Sequence, residues 1–198
     1  MSKLYLASQS PRRCELLQQI GCAFEQLQVS VPESPHAGEI PEDYVLRVAH
    51  DKARAGLAQR AAPQTDDVIL GADTEVLLDG QIFGKPSNAE AARSMLRKLS
   101  GRTHRVLSAV WVCSLQTSLY AINRSEVRFA KLDEQVILEY VDAGEWLGKA
   151  GAYAIQGRGG ALIEYLQGSY SGVMGLPLHE TWRLLRAFAV PCMEPTLR

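Results

Sequence analysis

The segment DVILGADTEVLL, residues 67–78, decides the fold class of this chain. Its first half is almost entirely aliphatic, which predicts a long β-strand that is buried where it begins. The dipeptide Asp79-Gly80 follows it and favours a tight turn, so residues 81–86, QIFGKP, are predicted to fold back as the second strand of a hairpin.

Strands and helices alternate on both sides of this hairpin. An apolar run at residues 4–7 predicts a short strand, and Pro11 fits the first position of a helix that continues through residues 14–20. The same signals predict four more helices and two more strands: helices at 44–62 (opened by Pro41), at 87–101 (with a Ser87/Glu90 capping box), near 133–143 and near 178–188, and strands near 103–114 and 118–131. This alternation predicts an α/β fold in which helices flank a mixed sheet.

The first helix begins with two arginines, Arg12 and Arg13, where the helix dipole is already positive. Cations are disfavoured at that end by roughly 0.3–1 kcal/mol each. One explanation is that both guanidinium groups are solvated or paired with Glu15. The other is that an anion binds here, in a phosphate cradle formed by Ser8, the helix N-terminus and the two arginines. The segment alone leaves both explanations open.

Lys52 falls within the apolar stripe of the helix predicted at residues 44–62, beside Val48 and Ala49. Its stem can lie along that stripe while the ammonium reaches solvent. The alternative is that the ammonium points into a cleft, toward an anionic group.

Asp73 and Glu75 interrupt the long apolar strand two residues apart, so their side chains share one face at a separation of about 7 Å. A buried carboxylate needs a cation, hydrogen-bond donors or a metal ion. Oxygen ligands of this type suit Mg²⁺ or Mn²⁺. The pair is interpreted either as a capped strand end or as part of a functional site.

The composition excludes several classes of function. The chain of 198 residues has 21 Lys and Arg against 22 Asp and Glu, so it has no basic field that could hold polymeric DNA or RNA. No segment approaches the ~18 apolar residues of a membrane span, and residues 1–10 lack the apolar core of a signal peptide. We therefore expect a cytoplasmic protein without a membrane partner, in which all four cysteines, Cys14, Cys22, Cys113 and Cys192, are reduced thiols.

Seven segments, taken together, resemble the Maf family of nucleoside triphosphate pyrophosphatases. They are LASQSPRR, PEDYVLRVAHDKA, LGADTEV, GKP, LRKLSGRTHRV, GKAGAYAIQG and GSYSGVMGLPLHET, and they recur in family order from Leu4 to about Phe188. The GAYAIQG segment is similar to the subfamily that acts on dTTP and UTP.

The resemblance implies one domain over residues 1–198, with two α/β lobes similar to inosine triphosphate pyrophosphatases and a nucleotide cleft between them. It implies hydrolysis of dTTP and UTP to the monophosphate and pyrophosphate with a divalent cation, Mg²⁺ or Mn²⁺, in a house-cleaning role. The implied partner is a small nucleoside triphosphate. Homodimers are common for such folds, although no stretch of this sequence locates an interface.

The resemblance also assigns roles to individual residues. Asp73 would be the proton acceptor, and Glu33 would bind the metal together with Asp73. Lys52 and Lys85 would contact the phosphate chain as part of the catalytic set. The substrate-binding and specificity positions would be Ser8, Arg12, Arg13, Thr74 and Gln156.

A triphosphate would also account for the residues on chemical grounds, because its roughly four negative charges match two arginines and an inward lysine. Two other functions are considered beside it. A nucleotide-binding regulator of cell division or septation with little turnover would have no need of an acidic group beside the phosphates. An inosine triphosphate-type enzyme is disfavoured by the SPRR and AIQG segments.

Overall fold

The computed structural model describes residues 2–193, which contain a seven-stranded mixed sheet. Its strands are β1 (Lys3–Ala7), β2 (Phe24–Leu27), β3 (Asp67–Leu78), β4 (Gln81–Phe83), β5 (Thr103–Cys113), β6 (Ser118–Phe129) and β7 (Ile163–Gln167). The strand order is β2-β1-β3-β5-β6-β7, with β4 paired to β3. β1 runs parallel to β2 and β3, whereas the β3–β4 and β6–β7 pairs are antiparallel. The predicted α/β fold with a mixed sheet is confirmed.

Six helices accompany the sheet within the described residues. They are α1 (Pro11–Gln19), α2 (Pro41–Ala58), α3 (Ala89–Leu99), α4 (Glu134–Asp142), α5 (Tyr170–Met174) and α6 (Leu178–Ala187), and two short 3₁₀ segments cover Ala150–Ala152 and Arg158–Leu162. Pro11 and Pro41 occupy the first positions of their helices, as predicted. Within residues 2–193, no helix has the length and apolar character needed to cross a lipid bilayer.

Two predicted helix ends differ from the structure. α2 ends at Ala58, with Gln59 as its C-terminal cap, rather than at residue 62, where the following Pro63 disfavours a helical conformation of Ala62. The predicted capping box at Ser87 is wrong: the Asn88 side chain caps α3 by accepting the Ala91 N–H at 2.8 Å. The sequence pattern also missed β2, β7 and α5, since four or five residues carry too little periodicity to identify an element.

Contacts divide the chain into two compact units. Residues 2–73, 108–123 and 175–193 form the first unit, and residues 74–107 and 124–174 form the second. Each has its own core: side chains such as Tyr5, Leu57 and Ile69 are packed in the first, and Leu96, Phe129, Ile137 and Tyr153 in the second.

Helix α2 lies unusually close to β3 in the first unit. A Cβ atom placed on Gly71 would overlap the Ala49 carbonyl oxygen and would come within 2.6 Å of the Ala53 nitrogen. No other residue type fits there, since real Cβ atoms essentially never approach backbone atoms so closely. Backbone-to-backbone packing at Gly71 therefore fixes the height of α2 above the strand and, with it, the reach of the α2 side chains.

The expectation of four free thiols is wrong for two of them. Cys22, just after α1, and Cys192, after α6, form a disulfide with a Cα–Cα distance of 4.5 Å across 170 positions of sequence. The backbone supports this connection, because the Met193 N–H donates to the Ile20 carbonyl at 2.8 Å. Cys14 and Cys113 are free. Sequence spacing could not predict the bond, since the two cysteines lie near opposite ends of the chain.

We expect the Cys22–Cys192 bond to stabilise the fold, because it closes a very long loop in the unfolded chain. The chain-entropy relation gives an upper limit of about 5 kcal/mol for a loop of this length. Reductant should therefore lower the unfolding midpoint of the wild-type protein, measured by urea denaturation. Cys192→Ser should show the same loss without reductant and no further loss with it. Identical midpoints for the oxidised and reduced wild type would contradict this prediction.

Candidate active site

Ser8 and Arg13 form a hydrogen-bonded pair where β1 ends and α1 begins. Ser8 is buried, and its Oγ accepts the Ser10 N–H at 3.2 Å and Arg13 Nη1 at 3.1 Å. A hydroxyl oxygen has two lone pairs, so with both engaged its own proton is directed to a further acceptor. The loop thus places a hydroxyl donor beside a guanidinium, which is the chemistry that a phosphate oxygen requires.

Arg13 is buried and attached at two points. Its Nε donates to the Gly175 carbonyl at 2.9 Å, and its Nη1 donates to Ser8. These contacts hold the guanidinium plane at the start of α1. The bond to Gly175 joins residues 162 positions apart, so the SPRR segment and the GLP segment that precedes α6 are neighbours in the first unit.

Arg12 lies in the first turn of α1, where no acidic residue is present. Burial, and after it the charge of Arg13, lowers the pKa of the Arg12 guanidinium, and the charge of Glu15 partly offsets this effect. Both causes disfavour the cation, and they add to the unfavourable helix dipole. An external anion at this end of the helix would offset these unfavourable contributions.

Lys52 connects two carboxylates. Its Nζ lies 2.8 Å from Asp73 Oδ1 and 2.6 Å from Glu33 Oε1. Lys52 and Asp73 are buried, whereas the Glu33 side chain is 34% exposed. The ammonium is therefore aimed at anionic groups inside the first unit and does not extend into solvent. Lys52 can reach them because Gly71 lets α2 pack directly onto β3.

The parallel pairing of β1 and β3 places both parts of this site at one edge of the sheet. Ala7, the last residue of β1, is in register with Gly71, so Ser8 and Asp73 follow this pair by one and two residues, Asp73 within β3. Ligands of open α/β sheets bind at this end of the strands. Ser8, Arg12, Arg13, Glu33, Lys52 and Asp73 all belong to the first unit.

The carboxylates of Asp73 and Glu33 suit a hard divalent cation. Both already converge on a single cationic atom, Lys52 Nζ, and Asp73 Oδ2 is buried without a hydrogen-bond partner. Among residues 2–193, no group of three or more His, Cys, Asp or Glu side chains is placed to hold a metal by itself. This donor set fits Mg²⁺, which is commonly bound by one or two carboxylates while water and substrate phosphates complete its coordination.

The other three predicted residues, Thr74, Lys85 and Gln156, belong to the second unit. Thr74 continues β3, Lys85 follows β4 and is exposed, and Gln156 is exposed in the loop before the second 3₁₀ segment. The first 3₁₀ segment, which precedes this loop, is a neighbour of the end of β4, since the Gly151 N–H donates to the Gly84 carbonyl at 3.2 Å.

Two residues that position the first-unit site were missed in the sequence. Gly71 sets the approach of α2 to β3, and Gly175 supplies the carbonyl that holds Arg13. A glycine within a strand is a general signal for close backbone approach, so Gly71 could have been found. Nothing local marks Gly175 as a partner of Arg13.

Comparison with known proteins gives matches along almost the whole chain. The family model described as Maf-like protein matches residues 3–188. A dTTP/UTP pyrophosphatase of Methylococcus capsulatus (strain Bath) is 58% identical over 184 residues, which are 93% of this chain and 90% of the relative. One from Xanthomonas oryzae pv. oryzae is 55% identical over 186 residues, covering 93% and 98% of the two chains. The solved structure of the Staphylococcus aureus Ham1 protein is 14% identical, with a TM-score of 0.47 over 65% of this chain and 72% of its own.

The geometry predicts unequal effects for the two partners of the buried ion pair. Lys52→Met keeps an apolar stem in α2 but leaves Asp73 buried without its cation, which should destabilise the protein by about 3–5 kcal/mol. Asp73→Asn should lower the free energy of unfolding by less, because Lys52 keeps Glu33 as a partner. Urea denaturation of both variants gives the comparison.

The double variant Lys52→Met/Asp73→Asn serves as the control. It removes both members of the pair and should regain part of the stability that Lys52→Met loses. A Lys52→Met protein as stable as the wild type would show that the pair makes no net contribution to folding.

Proposed function

The chain belongs to the Maf-like protein family, and on this basis we propose that it is a nucleoside triphosphate pyrophosphatase, which hydrolyses dTTP and UTP to the monophosphate and pyrophosphate. The carrying observation is the buried Asp73 carboxylate, which is paired with Lys52 and lies within β3 at the level where β1 ends and Ser8 follows. This arrangement supplies an acid–base group and a positively charged site that can bind an anion. Cleavage of a phosphoanhydride requires both.

Phosphate binding falls to the residues at the start of α1. Ser8 donates its hydroxyl proton to a phosphate oxygen, and Arg12 and Arg13 offset the charge of the triphosphate. The fixed orientation of Arg13 supports this role, because catalysis of phosphoryl chemistry consists mainly of positioning and electrostatic stabilisation. Lys85, exposed after β4, contributes a further positive charge to the phosphate chain.

Asp73 accepts the proton of the attacking water at its Oδ2, the carboxylate oxygen that Lys52 does not contact. Lys52 pairs with this buried carboxylate and places a positive charge beside it. Glu33 and Asp73 would hold the divalent cation. When bound, that cation screens the phosphate charges and polarises the scissile group.

Base choice is assigned to Gln156, with Thr74 and Arg12. A uracil or thymine edge presents two carbonyl acceptors that flank one N–H donor, and the carboxamide of Gln156 complements two adjacent groups of this pattern. Cytosine would place a donor against a donor. Unpaired buried groups cost about 1–3 kcal/mol each, so a site built on such bonds rejects CTP.

A nucleotide-binding regulator with little turnover is the alternative. The names of the similar proteins disfavour it, because the relatives from Methylococcus and Xanthomonas are both described as pyrophosphatases. A turnover assay with dTTP and UTP separates the two functions directly.

The products identify the bond that is cleaved. With Mg²⁺ or Mn²⁺, we expect pyrophosphate from dTTP and UTP in amounts equal to the monophosphate, and chelation by EDTA should stop the reaction. Pyrophosphate and orthophosphate are to be measured in separate coupled assays. Orthophosphate as the sole inorganic product would place the attack at the γ-phosphate and overturn the assignment.

Asp73→Asn tests the proton acceptor. The amide keeps the shape of the side chain but cannot take a proton at neutral pH, so kcat should fall by on the order of 10²–10⁴. Glu33→Gln is the matched variant. Glu33→Gln changes a predicted metal ligand, so its loss of kcat should diminish at high metal concentration. The loss of kcat in Asp73→Asn should persist. Full activity of Asp73→Asn at saturating metal would mean that another group is the base.

A further inference from the structure

Behind Gln156, the second unit contains a buried polar contact to which no role has been assigned. His104 of β5 and Tyr153, three residues before Gln156, are joined by a 2.9 Å contact between Nε2 and the phenolic oxygen. His104 is 1% exposed and Tyr153 6%. Both rings pack edge-to-face on Phe129, so one aromatic ring contacts both members of the pair. A hydrogen bond in such surroundings is directional and costly to break.

The protonation states suit a neutral hydrogen bond. Burial lowers the pKa of His104 to about 4, so the imidazole is uncharged near pH 7. Burial also raises the pKa of Tyr153, which therefore keeps its phenolic proton. The contact is a hydrogen bond between two neutral groups, in which the tautomer of His104 decides whether the phenol or Nε2 donates.

A second buried hydroxyl holds the next residue of the same loop. Tyr140 of α4 accepts the Ala154 N–H at 3.0 Å through its phenolic oxygen. On the far side of Gln156, Glu145 Oε2 accepts the Arg158 N–H at 2.8 Å. The Gly157 N–H donates back to the Ala154 carbonyl at 3.2 Å and closes the turn. Gln156 thus stands exposed at the tip of a loop whose backbone is attached on both sides.

We propose that His104 and Tyr153 are positioning residues for base selection, and that their hydrogen bond fixes the loop that presents Gln156 to the pyrimidine. The inference rests on the proposed function, in which Gln156 contacts the base. Apolar packing alone would keep Tyr153 buried, but it would let the ring slide and rotate. The bond to His104 fixes the position of the Tyr153 ring in the core. Because Ala154 is the next residue and Gln156 comes two residues after it, the backbone carries this constraint to Gln156. Displacement of a contacting group by about 1 Å can reduce a rate by 10²-fold.

The test is a double-mutant cycle on base discrimination. Tyr153→Phe removes only the hydroxyl and should lower kcat/KM for UTP by roughly tenfold, with little change for CTP, because CTP gains nothing from Gln156. Gln156→Ala should lower the UTP/CTP ratio by itself. In the Gln156→Ala background, Tyr153→Phe should have no further effect on the ratio. The matched control is Tyr165→Phe, which changes an exposed tyrosine of the same unit. It should leave kcat/KM unchanged for both UTP and CTP.

His104 provides a second route if Tyr153→Phe folds poorly. His104→Gln places an amide near the position of Nε2 and should keep the wild-type ratio of kcat/KM for UTP to that for CTP. His104→Leu should lower this ratio. A purely structural role predicts parallel losses for UTP and CTP in all of these variants, and that result would overturn the inference. Loss of the ratio in Gln156→Ala but not in Tyr153→Phe or His104→Leu would overturn it while leaving base reading by Gln156 intact. A wild-type protein that turns over neither nucleotide would instead overturn the proposed function.

Discussion

The backbone contact between α2 and β3 at Gly71 is the constraint on which the first-unit site depends. It brings α2 so close to the strand that Lys52 Nζ reaches Asp73 at 2.8 Å and Glu33 at 2.6 Å, although α2 belongs to the layer above the sheet. A side chain at Gly71 would lift the helix, and the buried carboxylate of Asp73 would lose its cation. Burial of that carboxylate is tolerable only with such a partner. Fold and site therefore share one packing requirement.

Charge is distributed in the first unit in a way that stability alone does not explain. Arg12 and Arg13 add positive charge to a helix N-terminus, and burial lowers the pKa of Arg12. Lys52 gathers two carboxylates into a small volume. Under the proposed function, a polyanion would offset the positive charges at α1, and a divalent cation would be held by the two carboxylates. Local conflict of this kind is typical of functional sites, where the fold supplies the compensation elsewhere.

In the second unit, the loop around Gln156 is held in place without regular secondary structure. The loop around Gln156 lies between two short 3₁₀ segments and has no strand or helix to fix it. Buried side chains of Tyr140 and Tyr153 and the carboxylate of Glu145 replace that support with hydrogen bonds. Under the proposed role of Gln156 in base selection, this support would prevent its carboxamide from adapting to either pattern of donors and acceptors.

The sequence by itself determined the local features. The aliphatic run and the Asp-Gly turn predicted β3 and its hairpin, and helical periodicity placed Lys52 on the buried face of α2. These are properties of neighbouring residues, so a short window contains them. The family motifs identified the remaining candidate residues, whose roles stay predictions.

Only the tertiary structure decided which distant residues meet. The Cys22–Cys192 bond, the Arg13–Gly175 hydrogen bond and the His104–Tyr153 contact span 170, 162 and 49 positions of sequence. Neither a cysteine, a glycine carbonyl nor a buried histidine carries any mark of its partner in the chain around it. Such pairs form because packing of the sheet and helices brings their backbones together, and that packing depends on all the elements at once.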